Sequence, residues 1–327
     1  MNLRRKLLIA FGAGAVASPF ATLAQQLTRT YRVGWLGTGS PSGDVEFIDD
    51  VKNTLRDMGY RDGKSVVFER RAADFRLERL AGLATELVAL KPDVIVAGAS
   101  SGTRAAKQAT ATIPIVMLNV ADPVGAGFVA SLAHPGGNIT GVASLGLDMA
   151  AKPLELLHTV VPKATRIAVL ATLNPSHPAI TNEIAIAGKA LGLTVLPTTA
   201  ASLEDIERAF ASMAKERAQA LVVVSDSLTI SNRKRIAELA AESKLPAIYS
   251  FSEQVEAGGL LSYGPNPRNL HKVIARYIDK ILKGAKPGDL PVEQPAEFEL
   301  VINLKAAKAL GITFPQEILL RADQTIR

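Results

Sequence analysis

Val33-Gly34-Trp35-Leu36-Gly37-Thr38-Gly39-Ser40-Pro41 and Ile167-Ala168-Val169-Leu170-Ala171-Thr172-Leu173-Asn174-Pro175 stand in the same order 134 residues apart. Each is a short apolar run closing on a small polar turn, the pattern of a buried strand and the loop beyond its carboxyl end. The pairing continues outward. Asp57-Met58-Gly59-Tyr60 matches Ala190-Leu191-Gly192-Leu193, and Asp93-Val94-Ile95-Val96 matches Ala220-Leu221-Val222-Val223. Ile113-Pro114-Ile115-Val116 matches Leu245-Pro246-Ala247-Ile248, and Val124–Gly127 resembles Glu256–Gly259. Any one match is ordinary α/β grammar. Their shared order, at offsets of about 127 to 134, points to a duplicated unit. Helical patterns lie between the runs, at Glu46–Met58, Leu77–Leu90 and Thr103–Thr110. The fold class is therefore α/β: two similar lobes, each a doubly wound parallel sheet covered by helices.

The tail sets the connectivity. Gly258 to Gly264, a strong helix over Asn269–Leu282, a strand at Phe298–Ile302 and a helix at Leu304–Leu310 are too few for a third domain. They are expected to complete the two lobes, so that the chain crosses more than once. The expected division is residues 30–140 with about 260–290 in lobe 1, and 144–256 with about 298–327 in lobe 2. Asn138–Val142 is the expected first crossing.

Residues 1–24 read as a secretory signal. Arg4-Arg5-Lys6 is its positive start, Leu7–Ala17 its apolar stretch, and Thr22-Leu23-Ala24 places small residues before a cut near Ala24. Arg4-Arg5 leaves the general secretory and twin-arginine routes both open. The chain has 327 residues and a formal net charge of +6; Arg4, Arg5 and Lys6 supply three of these charges, leaving the rest at +3. That balance does not suit a nucleic-acid binder. The absence of cysteine excludes a disulfide framework, a thiol nucleophile and a lipid anchor on an N-terminal Cys. A soluble, periplasmic protein is expected, with no cofactor and no metal.

In parallel sheets, ligands sit beyond the carboxyl ends of the strands. Thr38 and Ser40 lie in the first such loop, and Ser100, Ser101 and Thr103 in Gly98-Ala99-Ser100-Ser101-Gly102-Thr103, which opens a helix. A helix amino end lined with hydroxyls favours a carboxylate; the same hydroxyls also serve as helix caps. Asp226, in Ser225-Asp226-Ser227, either meets an ammonium group across the cleft or caps the next helix. Asp122 precedes Pro123 and fits a turn as well as a ligand. Asn174 offers a polar contact opposite Thr38–Ser40, and Tyr249 either stacks on a ligand or fills the core. Trp35 reads as core, and His177 as a surface loop residue. No P-loop, G-x-S-x-G or H-E-x-x-H is present, and no nucleophile–base pair emerges.

Asp122-Pro123-Val124-Gly125-Ala126-Gly127-Phe128-Val129, followed by Pro135-Gly136-Gly137-Asn138-Ile139-Thr140-Gly141, resembles the exported substrate-binding proteins of ABC transporters. The branch it resembles includes tryptophan- and tyrosine-type binding proteins, of the type I periplasmic-binding fold. The resemblance implies a monomeric cleft protein with three interlobe crossings. It would close on a small solute, in this branch an amino acid and possibly an aromatic one, and deliver it to an inner-membrane ABC permease. Carried over by position, Ser100, Ser101 and Thr103 would hold the carboxylate and Asp226 the ammonium. The alternatives are a ligand-binding accessory protein for a membrane sensor, and an exported enzyme on the same fold.

Overall fold

A computed structural model describes residues 29–43, 45–144, 149–295 and 297–327. The expected signal at 1–24 lies outside these residues. Among them, no helix is long and apolar enough to cross a membrane.

Lobe 1 alternates strands and helices. These are β1 (Tyr31–Gly37), α1 (Val45–Asp57), β2 (Val66–Ala72), α2 (Leu80–Ala89), β3 (Val94–Gly98), α3 (Ala99–Ala109), β4 (Ile115–Val120) and β5 (Ile139–Ala143). The strands form one parallel sheet in the order β2-β1-β3-β4-β5. Side chains alternate across a strand, so each apolar run feeds two cores. Val33, Trp35, Val94, Val96 and Val116 enter one core; Leu36, Ile95, Ala97, Ile115 and Met117 enter the other.

Lobe 2 repeats the plan. It contains α4 (Lys152–Val160), β6 (Arg166–Thr172), α5 (His177–Ala190), β7 (Thr194–Ala200), α6 (Leu203–Lys215) and β8 (Ala220–Val223). A short α7 (Ser227–Ser231), α8 (Arg233–Glu242), β9 (Ala247–Tyr249), α9 (Ser252–Glu256) and β10 (Leu261–Pro265) follow. The same alternation divides Ile167, Val169 and Val222 from Ala168, Leu170 and Leu221.

The chain then returns to lobe 1. Helix α10 (Pro267–Leu282) packs Leu270, Ile274, Tyr277 and Ile278 against Val33, Val51 and Leu55. Burying side chains of this size contributes about 1.5–3 kcal/mol each, which fixes the helix to lobe 1. The segment after it stays there: Leu290 O accepts from Thr140 Oγ1 at 2.7 Å, and Glu293 O accepts from Ala143 N at 2.9 Å. The last elements, β11 (Phe298–Asn303), α11 (Leu304–Leu310), α12 (Gln316–Arg321) and β12 (Gln324–Ile326), rejoin lobe 2. Its seven-stranded sheet runs β12-β11-β10-β9-β8-β6-β7, with β11 antiparallel to β10 and the other pairs parallel. The chain thus passes between the lobes three times, after β5, after β10 and before β11.

Two boundaries differ from the sequence reading. Leu261–Pro265 belongs to the sheet of lobe 2, because it pairs with β9 on one side and β11 on the other. Residues 139–143 are a strand of the lobe 1 sheet, and the first crossing follows them.

Candidate functional site

The carboxyl ends of both sheets face each other across a cavity of about 190 Å³. Lobe 1 contributes Thr38 after β1, Ala99 after β3 and Asn119 at the end of β4. Lobe 2 contributes Asn174 and Ser176 between β6 and α5 with His177 opening α5, and Ser225 and Asp226 between β8 and α7 with Ser227 opening α7. Trp35, Phe251 and Tyr263 supply aromatic wall, and Met149 and Pro153 close the side nearest the first crossing.

Helix amino ends point at this space for a local reason. Strand β3 runs almost directly into α3, with Gly98 as the N-cap and no side chain capping it. The first N–H groups of that helix therefore keep their donor capacity. Ala99 makes the turn at φ +57°, and Asn119 turns at φ +61° after Leu118. A left-handed alanine costs about 1–2 kcal/mol, and such strain is typical of sites where the backbone must be aimed. Helix α5 also begins without a side-chain cap, at Ser176.

Hydroxyl pairs bridge the lobes. Ser100 Oγ lies 2.9 Å from Ser176 Oγ, and Thr38 Oγ1 lies 2.6 Å from Ser227 Oγ. Asn174 Nδ2 donates to Asp226 Oδ2 at 3.0 Å, while Asp226 Oδ1 accepts from Leu228 N at 3.2 Å. Asp226 therefore both caps α7 and presents a carboxylate to the cavity. Among the described lining residues, it alone carries a formal charge.

His177 corrects its sequence reading. It is buried, at 2% exposure, and lines the cavity. Thr172 N donates to Nδ1 at 2.8 Å, so the ring proton sits on Nε2, which donates to Ser225 O at 3.2 Å. Burial holds its pKa below the ordinary histidine value, against the opposing pull of Asp226 and of its backbone bonds to Ser225 and Thr172. With both nitrogens engaged by backbone, the imidazole offers the cavity a neutral ring and no free base.

Of the residues singled out from sequence, Thr38, Asn174 and Asp226 come together at the main cavity. Ser100 reaches its edge through Ser176. Ser101 instead lines a smaller gap, of about 30 Å³, which shares Thr38, Asn174 and Asp226 with the cavity. Thr103 points back down its own helix, donating to Ala99 O at 2.8 Å. Ser40 lies outside the lining; its carbonyl accepts from Arg70. Asp122 is exposed and accepts from Gly125 N at 2.8 Å, which is the turn role. Tyr249 is core, 1% exposed, with its hydroxyl pKa raised by burial. Sequence reading does not select Asn119, Ser144, Ser250, Phe251 or Tyr263 as contacts. Asn119, Ser250 and Phe251 can be found by applying the strand-end rule to β4 and β9 as well. Trp35 and Tyr263 sit inside strands, where a core residue and a cavity wall carry the same signal.

Two α/β lobes meeting at their strand ends over a shared cavity define a cleft-type solute-binding protein. Residues 41–326 match the family described as ABC transporter substrate binding protein, and the chain belongs to it. It is 31% identical over 260 residues to a tyrosine-binding protein of Clostridioides difficile (strain R20291), covering 79% of this chain and 74% of that one. A Streptococcus pneumonia structure described as an ABC domain in complex with L-Trp superposes with a TM-score of 0.82 at 28% identity, over 91% of this chain and all of the other. The ligand-free, open structure of a substrate-binding protein with adhesive properties from Clostridium difficile gives 0.62 at 25% identity, over the same shares.

Proposed function

We propose that this protein is the exported solute-binding component of an ABC importer, that it captures an amino acid with an aromatic side chain, and that it is not an enzyme. The observation that carries the reading is the polarity of the cavity. One wall holds the uncapped amino end of α3, and the opposite lobe holds one carboxylate, Asp226, with no lysine or arginine among the described lining residues. A zwitterion fits this arrangement: its carboxylate meets free N–H groups and the positive end of the helix dipole, and its ammonium meets Asp226. Thr38 and Ser100 supply hydroxyls beside the carboxylate end. Trp35, Phe251 and Tyr263 give the side chain an aromatic enclosure. The tyrosine-binding and L-Trp-bound relatives support the same ligand class.

Closure of the lobes is the proposed mechanism. At similar identity, the superposition favours the L-Trp complex over the open, ligand-free structure. The Ser100–Ser176 and Thr38–Ser227 pairs can form only when the lobes meet. A ligand that contacts both lobes favours the closed form by its differential affinity.

The test is a thermal-shift screen on protein refolded free of ligand. At 100 times its Kd a ligand adds about 2.7 kcal/mol, and each kcal/mol moves the melting temperature of a domain of 150–250 residues by about 2–4 °C. L-tyrosine, L-tryptophan or L-phenylalanine should stabilise the protein; the matching amines, without carboxylate, and acids, without ammonium, should not. Asp226→Asn should weaken binding about ten- to a hundredfold, the range for a charge-assisted hydrogen bond. Equal response to the deaminated acid removes Asp226 from its role, and no response to any amino acid overturns the ligand class.

A further inference from the structure

The turn after β2 is built in an uncommon way. Asp74 and Phe75 both lie in the left-handed region, at φ +57° and +61°. That conformation suits glycine or asparagine and is a true outlier for a bulky aromatic residue. Its backbone bonds to lobe 1: Ala73 N donates to Gly37 O at 3.0 Å, Asp74 N to Gly39 O at 2.8 Å, and Phe75 N to Thr38 O at 3.0 Å. The turn is thus tied by its backbone to the loop that lines the cavity.

The side chain reaches the other lobe. Phe75 packs against the lobe 2 core that contains Leu170, Ala200, Leu228 and Tyr249. With Leu77 and Ser101 of lobe 1, and Leu173, Ala201 and Leu228 of lobe 2, it rings the smaller gap that adjoins the cavity. Leu173 is 60% exposed there, so the gap lies at the surface. A separated cleft would take the Phe75 ring out of this core and leave it only the contacts of its own lobe.

We propose that Phe75 is a latch: a pre-aimed aromatic side chain of lobe 1 that seats in the apolar core of lobe 2 at the cleft mouth and so sets how much of the protein is closed, with or without ligand. The strained backbone is what aims the ring across the gap, and the apolar contact offsets that strain only on closure. The latch deepens the cleft reading, resting on its two-lobed closure and on no ligand identity.

The natural chain has no cysteine, so Ser100→Cys with Ser176→Cys forms one unambiguous cross-link. Their hydroxyls lie 2.9 Å apart across the closed cleft, close enough for a disulfide after small adjustment. The rate of oxidative cross-linking in the ligand-free protein then reads the closed population. Phe75→Ala in this background should slow it about tenfold, from loss of buried aromatic surface. Phe75→Leu, which keeps an apolar group, should stay within about threefold. Phe75→Asn relieves the backbone and removes the ring; it should melt no lower than its parent and still cross-link as slowly as Phe75→Ala. It also keeps the test valid if Phe75→Ala folds poorly. Equal cross-linking rates in all three variants and the parent overturn the latch. Because no ligand is added, the rates test the latch even if the protein binds no amino acid.

Discussion

His177 gathers most of what is particular to this site into one side chain. Its ring is buried, neutral, and fixed in one tautomer by Thr172 N and Ser225 O. Burial lowers its pKa in the fold, while the unfolded chain keeps the ordinary value near 6.5. The unfolded state therefore binds more protons just below that value. The stability His177 provides is complete above about pH 6.5 and is lost as pH falls toward its lowered folded value. His271 shifts in the same direction, chiefly by burial and against its bond to Asp50. Calorimetry at pH 7.5 and 5.5 should show a drop in melting temperature, and His177→Gln should shrink that drop while leaving the share due to His271. An unchanged drop would show that His177 does not titrate in this range. The residue scale is also where sequence is least legible. Ser100, Ser101 and Thr103 stand out by type and position, but their helical phase sends them to three destinations: the opposite lobe, a side gap and their own helix. No local pattern distinguishes these.

Strand β10 shows what element-level reading does and does not reach. Its apolar pattern is visible in the sequence, as is every strand whose residues alternate between two cores. Its membership of lobe 2 is not, because that rests on register with β9 and β11, from segments distant in sequence. Close backbone approach enforces that register. A Cβ on Gly264 would lie 1.8 Å from Ser250 O, and neither atom belongs to a flexible side chain. Ser250 lines the cavity, so the contact also holds part of the site wall. Gly264→Ala should cost about 3 kcal/mol or more, as overpacking against backbone does. Gly82 gives the contrast: it lies in α2, meets nothing within 4 Å, and has no positive φ. Gly82→Ala should stabilise by about 0.5–1 kcal/mol through helix propensity. Urea unfolding of the two variants checks both signs at once. A mild effect at Gly264 would mean that β10 can shift relative to β9.

At the scale of the whole molecule, the lobes are legible as a duplication, but their contact is not. It includes single residues reaching across: Thr38 to Ser227, Ser100 to Ser176, Phe75 onto the core of lobe 2, and Ile230 and Phe251 onto the core of lobe 1. Gly39 is a place where this contact can be blocked. A Cβ there would lie 3.3 Å from Cβ of Ser227, a residue of the other lobe, and 3.7 Å from the Phe75 ring. Gly39 has no positive φ, so a larger residue brings no backbone strain of that kind. The branched side chain of Gly39→Val fills the space Ser227 needs on closing and should prop the cleft open. Its ligand-free melting temperature should fall little, because the tight contact is with Ser227 of the other lobe and the Phe75 ring lies at ordinary van der Waals distance. Its affinity should fall at least tenfold, the effect of about 1.4 kcal/mol placed on the closed state. Small-angle scattering should show the parent contracting when ligand is added and the variant failing to contract. Gly39→Ala, with a bare Cβ at a tight but adjustable distance, should fall between the two. A Gly39→Val protein that binds and contracts like its parent would mean that closure does not bring Thr38 and Ser227 together, and the two-lobed clamp would have to be replaced by a preformed cavity.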